Sequence, residues 1–226
     1  NGLQSSYAYE VIRLIKAHPL FFDLHYERLV KTCLTMEFYP PQKGKLLEEV
    51  FLITEKNKVS EINIKIIVDQ HNYLVFPIES RYPSTEMYTK GVECSFLFAE
   101  RKNPEIKVFR PQLSQKSNQQ ISQQDIFESV LVNDQGLITE GSRSNLFFIK
   151  GNTMYTAPYE LVLGGITRLK VMEIIDQLGF KLKMQALNYQ QLSAYQAAFI
   201  CGTSPGVLPI KSIDKYHFDV QNPLLK

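Results

Sequence analysis

The sequence predicts a two-domain protein of mixed α/β class, either α+β or α/β, from three observations. The chain has 226 residues, which suffices for one large domain or two modest ones with their own cores. Runs with the period of a strand alternate with runs typical of an amphipathic helix. A polar segment that contains a proline, residues 79–84, separates two such series. We therefore expect a small domain at 1–80, a linker at 79–84 and a larger domain at 85–226.

Hydrophobic periodicity and turn residues locate the elements of the small domain. In chain order, they are a strand at 7–15, a turn at His18-Pro19, a helix at 23–36, a weaker helix at 42–55, and a hairpin made of 62–69 and 73–77. The proline pair Pro40-Pro41 is predicted to end the first helix. This domain is therefore expected to place two helices on a small sheet.

The larger domain shows more strands and two further helices. The predicted strands are 91–99, 106–109, 128–132, 146–150 and 197–201, and the predicted helices are 113–124 and 167–178. The last helix has the most regular apolar pattern, and Gly179 directly after it is typical of a helix C-terminus. The turn Asn133-Asp134-Gln135-Gly136 follows the strand at 128–132.

The composition argues against several classes of partner. The net charge is +2 with acids and bases interspersed, so neither a nucleic-acid-binding stripe nor an acidic tail is indicated. Neither a membrane-spanning run nor a signal peptide is visible, which favours a cytoplasmic protein. Cys33, Cys94 and Cys201 lie far apart and predict reduced thiols, with no disulfide framework and no metal site.

Three short segments combine glycines and hydroxyl side chains with a firm secondary-structure context. ITEGSRSNLFF, at 138–148, sets an acid, a glycine and a polar tetrad between two strands. LGGITR, at 163–168, opens the amphipathic helix, where backbone N–H groups and the Thr167 hydroxyl can bind an anion. CGTSPG, at 201–206, follows a buried strand, where ligands often bind. Taken singly, the first and third fit a surface turn equally well, and the second fits helix capping by Thr167.

Together, these segments resemble the fold-type IV enzymes that use pyridoxal 5′-phosphate (PLP): branched-chain aminotransferases, D-amino-acid aminotransferases and aminodeoxychorismate lyase. ITEGSRSNLFFIKGNTMYTAP, LVLGGITR and AAFICGTSPGVLPIKSID match the family's three most characteristic segments. SYAYEVIRL and FFDLHYERL resemble its N-terminal strand and helix. A match of several segments in the right order is a specific signal. It implies the D-amino-acid-aminotransferase-like fold, with a small N-terminal lobe and a larger lobe that binds the cofactor.

The resemblance assigns a cofactor site residue by residue. Glu140 would lie beside the pyridine nitrogen of PLP, where a carboxylate keeps that nitrogen protonated. Arg28, in the HYER segment, would pair with the phosphate; an exposed helix arginine is the alternative. The other assigned cofactor contacts are Ser144, Asn145, Gly165, Ile166, Thr167, Thr203 and Ser204. Tyr9 matches a position near the substrate carboxylate, and a strand tyrosine in the core is its alternative.

The lysine that forms a Schiff base with PLP is the critical assignment. The family places it at the end of a strand, at a separation from the acid that Lys107 matches, 33 positions before Glu140. Lys116, in SQKSNQQ, is the runner-up, because the asparagine that follows it partly resembles the family context. For either lysine, a charge that faces solvent is the alternative.

By this resemblance, the chain is an aminotransferase of amino-acid metabolism, which moves an amino group between a small amino acid and a 2-oxo acid. The alternative is aminodeoxychorismate lyase, which expels pyruvate and leaves 4-aminobenzoate for folate synthesis. Val11 lies where that lyase would need a hydroxyl, which favours the aminotransferase. A non-catalytic binding relative is the second alternative, because 108–111 depart from the family pattern. The expected partners are a small-molecule substrate and a second copy in a homodimer, with no nucleic acid and no membrane.

Overall fold

The computed structural model describes residues 6–57, 61–79 and 82–226, and the chain divides into two compact units. The first unit comprises Asn1–Tyr82 and Ile106–Pro111, and the second comprises Pro83–Glu105 and Gln112–Lys226. The segment Ile106–Pro111 thus groups with the first unit although it follows the first strand of the second. The domain limits 1–80 and 85–226 stay a prediction. Positions 80 and 81 of the predicted linker lie outside the described residues.

The described part of the first unit is built on a four-stranded antiparallel sheet. Its strands are β1 (Ala8–Ile15), β2 (His18–Pro19), β3 (Ile62–Val68) and β4 (Tyr73–Ile78), in the order β2-β1-β3-β4. Its helices are α1 (Phe22–Thr35) and α2 (Lys43–Asn57). Alternate residues of β1 pack with both helices in one core, as Ile12, Leu29 and Leu46 show. The period-2 pattern of β1 therefore leaves its other face outside that core.

Two boundaries of the small unit differ from the prediction. The predicted turn at His18-Pro19 is wrong, because these residues form β2 and pair with the end of β1. The reversal occurs at Lys16 and Ala17, whose φ angles are 49° and 63°. Helix α1 ends at Thr35, well before the proline pair, because Glu37 adopts a left-handed conformation with φ 58°. The other predicted elements of this unit are confirmed within a few residues.

Within residues 82–226, the second unit contains a mixed ten-stranded sheet. Its strands are β5 (Val92–Phe98), β6 (Glu128–Val132), β7 (Leu137–Gly141), β8 (Asn145–Lys150), β9 (Thr153–Thr156), β10 (Lys181–Met184), β11 (Leu187–Asn188), β12 (Ala197–Gly202), β13 (Gly206–Ile213) and β14 (Tyr216–His217). Their order is β10-β9-β8-β12-β13-β5-β6-β7-β11, and β14 pairs with β13. The helices are α3 (Thr85–Lys90), α4 (Pro111–Gln124) and α5 (Ile166–Gln177), with short 3-10 turns at Tyr159–Leu161, Tyr189–Ala194 and Pro223–Leu225.

This large sheet curls back on itself. β7 and β8 follow each other in the chain, joined by residues 142–144, yet β6, β5, β13 and β12 separate them in the sheet order. The Gly141 N–H donates to the Ser144 carbonyl at 2.8 Å, so the two strands stay in contact at their turn. Only a strongly curved sheet can satisfy both conditions. The curvature brings the ends of β7, β8 and β12 to one edge.

Three predictions for the second half of the chain meet different outcomes. The sequence predicts a loop around Glu140, and this prediction is wrong, because Glu140 lies within strand β7. A strand at 106–109 is wrong, because this segment forms only an isolated bridge, between Val108 and Ala8. Gly179 does follow the last helix, with φ 71°, and the predicted helix end is confirmed. No helix of the described ranges has the length and apolar character that crossing a bilayer requires.

Candidate active site

Glu140 is a buried carboxylate with polar donors around it. It is 2 % exposed, near the end of β7. The Arg101 Nε–H donates to Oε1, and the Leu163 backbone N–H donates to Oε2 at 3.0 Å. The Asn145 amide lies 3.5 Å from the same Oε2. These donors fix the position of the carboxylate, because each of them bonds to one of its oxygens.

Arg101 is a site residue that the sequence did not reveal. Its side chain is 9 % exposed, and its Nη2 donates to the Ser142 carbonyl at 2.9 Å while Nε binds Glu140. In the sequence it lies among polar residues, in ERKNPE, which read as a solvated loop. Only the folded chain shows that Arg101 joins the acid to the turn between β7 and β8.

The three glycine- and hydroxyl-bearing segments meet at one edge of the curled sheet. Asn145, at the start of β8, pairs with Cys201 near the end of β12, so the turn that contains Thr203 and Ser204 lies beside it. The Asn145 amide also donates to the Leu163 carbonyl at 2.9 Å. At Gly165, a Cβ atom would collide with the Asn145 side chain, so only glycine allows this close approach. The predicted cofactor residues of this unit are therefore neighbours.

Helix α5 begins at this edge with an open N-terminus. Its N-cap is Gly165, which has no side chain that could cap the helix. The alternative in which Thr167 caps the helix is therefore wrong, because the helix begins at Ile166. Uncapped N–H groups of a first helical turn suit an anion such as phosphate. Arg168, 1 % exposed, anchors the same turn by donating to the Ala157 carbonyl at 2.6 Å.

The turn after Glu140 is held by a second buried acid, Glu128, which the sequence analysis also missed. Glu128 is 2 % exposed and accepts hydroxyl bonds from Ser142 at 2.6 Å and from Ser144 at 2.8 Å. The Arg143 backbone N–H lies 3.2 Å from the same carboxylate. The Ser144 hydroxyl thus has a protein partner, and its contact with a cofactor stays a prediction.

Lys107 lies in the first unit, beside Tyr9. The Tyr9 N–H donates to the Lys107 carbonyl at 3.0 Å, and the Lys107 N–H donates to the Thr32 hydroxyl at 3.2 Å. Its ammonium is 4.7 Å from the centre of the Tyr9 ring. Lys107 is half-buried, whereas Lys116 is exposed on α4. The two candidate lysines thus have very different surroundings.

Arg28, the predicted phosphate ligand, is clamped by an acid of the same unit. Its Nε and Nη2 donate to the two oxygens of Glu10, both at 2.7 Å. His25 Nδ1 lies 2.8 Å from Glu10, which is fully buried. Burial raises the pKa of Glu10, but the charge and hydrogen bonds of Arg28, with help from His25, lower it to about 2. Burial, together with the nearby charges of Arg28 and Lys107, lowers the pKa of His25 despite its contact with Glu10.

This fold, with the buried acid and the open helix terminus at the edge of a curled sheet, is that of the fold-type IV PLP-dependent enzymes. The chain belongs to the amino-transferase class IV family, whose sequence model matches residues 7–213. The predicted family and mixed α/β fold class are thereby confirmed.

Individual relatives include both activities that the sequence suggested. The chain is 37% identical to the D-alanine aminotransferase of Bacillus licheniformis over 97 residues, which cover 42% of this chain and 34% of that protein. It is 22% identical to the aminodeoxychorismate lyase of Bacillus subtilis over 237 residues, which cover 95% of this chain and 80% of that enzyme. The first match therefore spans about a third of the relative's length.

A solved structure supports the fold. A hypothetical aminotransferase from Mycobacterium tuberculosis, in its PLP-bound form, superposes with a TM-score of 0.83 at 15% identity, covering 99% of this chain and 86% of that chain. At this identity the likeness concerns the fold alone.

Proposed function

We propose that the chain is a PLP-dependent aminotransferase that moves an amino group between a small amino acid and a 2-oxo acid. The observation that carries this proposal is Glu140, a buried carboxylate held by Arg101 and the Leu163 N–H. A fixed negative charge of this kind suits a protonated pyridine nitrogen, and burial makes the attraction stronger than it would be in water.

The residues around Glu140 fit the rest of the cofactor. The uncapped N–H groups of Ile166 and Thr167 suit the phosphate, and the missing Cβ at Gly165 leaves room beside Asn145. Thr203 and Ser204 would add hydroxyl groups. Arg28, in the first unit, stays the predicted partner of the phosphate. When bound, PLP supplies an aromatic ring that accepts electrons from the substrate's α-carbon.

Lys107 would transfer the proton of the substrate's α-carbon. Its amine, half-buried over the Tyr9 ring, would take the proton from the α-carbon and return it elsewhere on the reacting system. Two contacts, the carbonyl bond to Tyr9 and the N–H bond to Thr32, hold its backbone in place. Lys116 is exposed on a helix, whereas Lys107 is half-buried beside the Tyr9 ring, so the surroundings favour Lys107.

Aminodeoxychorismate lyase is the second candidate function, and the alignment with the Bacillus subtilis lyase over 95% of this chain favours it. The same residues can support elimination, since both reactions begin at the substrate's α-carbon. Val11, on β1, has no hydroxyl to assist the departure of pyruvate. That absence supports the aminotransferase as the first choice.

We also propose that the protein acts in the cytoplasm as a homodimer. The expectation rests on the family resemblance and on the sequence features given above. Light scattering of the PLP-loaded protein would test it: a mass of about 52 kDa supports the dimer, since one chain has 26.1 kDa. A mass equal to one chain would contradict it.

The direct test of the proposed function is to find the lysine that PLP labels. The PLP-loaded protein is reduced with borohydride, and the modified peptide is mapped by mass spectrometry. We expect the label on Lys107, its loss in Lys107→Ala, and no change in the matched control Lys116→Ala. A label on Lys116 would reject the lysine assignment, and the absence of any label would favour the non-catalytic relative. Amino transfer from alanine to 2-oxoglutarate, compared with pyruvate release from aminodeoxychorismate, then separates the two activities.

A further inference from the structure

Glu128, at the start of β6, is a buried acid that accepts hydrogen bonds from uncharged groups. The Ser129 N–H donates to Oε1 at 2.9 Å, and the Ser142 hydroxyl donates to the same oxygen at 2.6 Å. The Arg143 N–H and the Ser144 hydroxyl donate to Oε2, at 3.2 Å and 2.8 Å. Among the described residues, no lysine, arginine or histidine side chain forms an ion pair with Glu128. Hydrogen bonds to both oxygens therefore set its position.

Three of these four donors belong to the turn 142–144, which joins β7 to β8. The backbone also fixes this turn, because the Ser142 N–H donates to the Ser129 carbonyl at 2.9 Å. At Gly141, directly before the turn, a Cβ atom would collide with the Ser144 hydroxyl oxygen and lie 3.0 Å from the Glu128 side chain. The acid and the turn are thus packed closely, so a change at Glu128 is transmitted to the turn.

The same turn supports two of the side chains that hold Glu140. The Ser142 carbonyl accepts a bond from Arg101 Nη2 at 2.9 Å, and Arg101 Nε binds Glu140. Asn145 directly follows the turn, and its amide lies 3.5 Å from Glu140 Oε2. Two routes of contacts therefore lead from Glu128 to Glu140, and both pass through the turn. All of these residues belong to the second unit.

We propose that Glu128 is a positioning residue for Glu140. It holds the turn 142–144, so that Arg101 and Asn145 keep the Glu140 carboxylate where it would meet the pyridine nitrogen of PLP. The inference rests on the proposed function, because it takes Glu140 as the partner of that nitrogen. Glu128 acts through the turn and has no contact of its own with the cofactor.

A carboxylate is needed at position 128, because each of its oxygens accepts one backbone N–H bond and one hydroxyl bond. In Glu128→Gln, the amide NH2 group would face a backbone N–H whichever way the side chain turned. At least one bond would be lost, and a buried donor would be left without a partner. Ser142→Ala is a milder second variant, because it removes one bond to Glu128 and keeps the carbonyl that binds Arg101.

Hydrogen exchange in the full chain without PLP tests the position of Glu140. The Leu163 N–H donates to Glu140 Oε2, so the exchange rate of this amide reports on that contact. By NMR, we expect this rate to rise at least about tenfold in Glu128→Gln and about threefold in Ser142→Ala. The Gly136 amide, which is bonded within a different turn, should keep its rate in both variants.

Binding of 4-deoxypyridoxine 5′-phosphate tests the effect on the cofactor site. This PLP analogue keeps the pyridine nitrogen and the phosphate but lacks the aldehyde, so its Kd is independent of Lys107 and of turnover. By calorimetry, we expect Glu128→Gln to raise the Kd about tenfold, but less than about twofold in the Glu140→Gln background. A residue that acts through Glu140 has little effect once that charge is absent, whereas general structural damage would add in both backgrounds.

The control and the outcomes keep the two proposals distinct. Glu93→Gln removes an exposed acid of the neighbouring strand β5 and should change neither measurement. An unchanged Leu163 rate in both variants, an equal rise at Leu163 and Gly136, or equal losses of analogue binding with and without the Glu140 charge would overturn the positioning role. If the unmodified protein does not bind the analogue, the proposed function fails, while faster exchange at Leu163 alone would still show that Glu128 positions Glu140.

Discussion

Glu10 in the first unit and Glu140 in the second are both buried carboxylates that an arginine engages, yet their proposed roles are reversed. At Glu10, the arginine is the functional partner, because Arg28 is the proposed phosphate ligand and the acid aligns it. At Glu140, the acid is the functional partner, and Arg101 aligns it. The same kind of ion pair therefore presents a cation in one unit and an anion in the other. In each pair, the proposed role depends on which of the two side chains would contact the ligand.

The largest effect that we expect is a loss of folding stability when the pair of Glu10 and Arg28 is broken by Glu10→Gln. The substitution leaves Arg28 and His25 beside a neutral amide in a fully buried position. Breaking a buried ion pair in this way costs about 3–5 kcal/mol, which urea unfolding would measure. The matched control is Glu93→Gln, whose pair with Lys211 is exposed and should contribute less than about 1 kcal/mol. A loss below about 1 kcal/mol for Glu10→Gln would contradict the role given to this acid.

Acid titration should reveal the same pair in the unmodified protein. The pKa of Glu10 is about 2 in the folded chain, below its ordinary 4.5, so its stabilisation is complete above the ordinary value. As the pH falls from 4.5 towards 2, folding should lose roughly 3 kcal/mol from this group. Urea midpoints of the unmodified protein should therefore fall more steeply with acid than those of Glu10→Gln. If the urea midpoints of the two proteins fell in parallel with pH, the stabilisation attributed to Glu10 would be contradicted.

The proton of His25 also affects stability, and a variant can separate its contribution from that of Glu10. Burial lowers its pKa from 6.5, so the folded chain binds that proton less readily than the unfolded chain does. Its contribution to stability is therefore lost as the pH falls below 6.5. Comparing the single variant His25→Gln with the double variant His25→Gln/Glu10→Gln removes the contribution of His25 and leaves that of Glu10.

For the pair of Glu140 and Arg101, the variant Glu140→Gln should reduce catalytic activity. A neutral amide cannot hold the proton on the ring nitrogen, so kcat should fall about a hundredfold while PLP still binds. Steady-state kinetics and the absorption of the bound cofactor would measure the two effects separately. Glu160→Gln, at an exposed position of a 3-10 turn, is the control and should keep full activity. Undiminished kcat in Glu140→Gln would remove Glu140 from the mechanism.

Arg101→Gln should have the smallest effect, because Arg101 acts through Glu140. We expect a fall of about tenfold in kcat with little change in KM, and partial recovery in Arg101→Lys, which restores the charge but not the two-point contact. The pH dependence of kcat would separate this positioning role from a purely structural one. An Arg101→Gln enzyme with an unchanged pH profile would show that the acid does not depend on its arginine.

The sequence predicted much of the fold wherever local chemistry was strong. Strand β1 follows from its alternation and the end of α5 from Gly179, because both depend on neighbours in the chain. The sequence predicts Glu140 as a site residue but places it in a loop, because the glycine and serines beside it are typical of a turn. The structure places it in the short strand β7. The strand expected at 106–109 reduces to one bridge, between Val108 and Ala8.

The missed site residues share one property, which is that their partners are distant in the chain. Arg101 reads as part of a polar loop until it is seen against Glu140, 39 positions away. Glu128 likewise appears as one acid at the start of a strand until it binds two serines.

The assignment of Ile106–Pro111 to the first unit has a consequence for the order of events on the ribosome. Translation releases the chain from its N-terminus at about 5–20 residues per second. The partners of Tyr7 and Tyr9, in the segment 107–109, emerge only after residues 83–105, which begin the second unit. The small unit therefore stays incomplete until the first residues of the second unit have also been synthesised. A ribosome stalled shortly before residue 106 would display a first unit that lacks both the proposed PLP lysine and the backbone cover of β1.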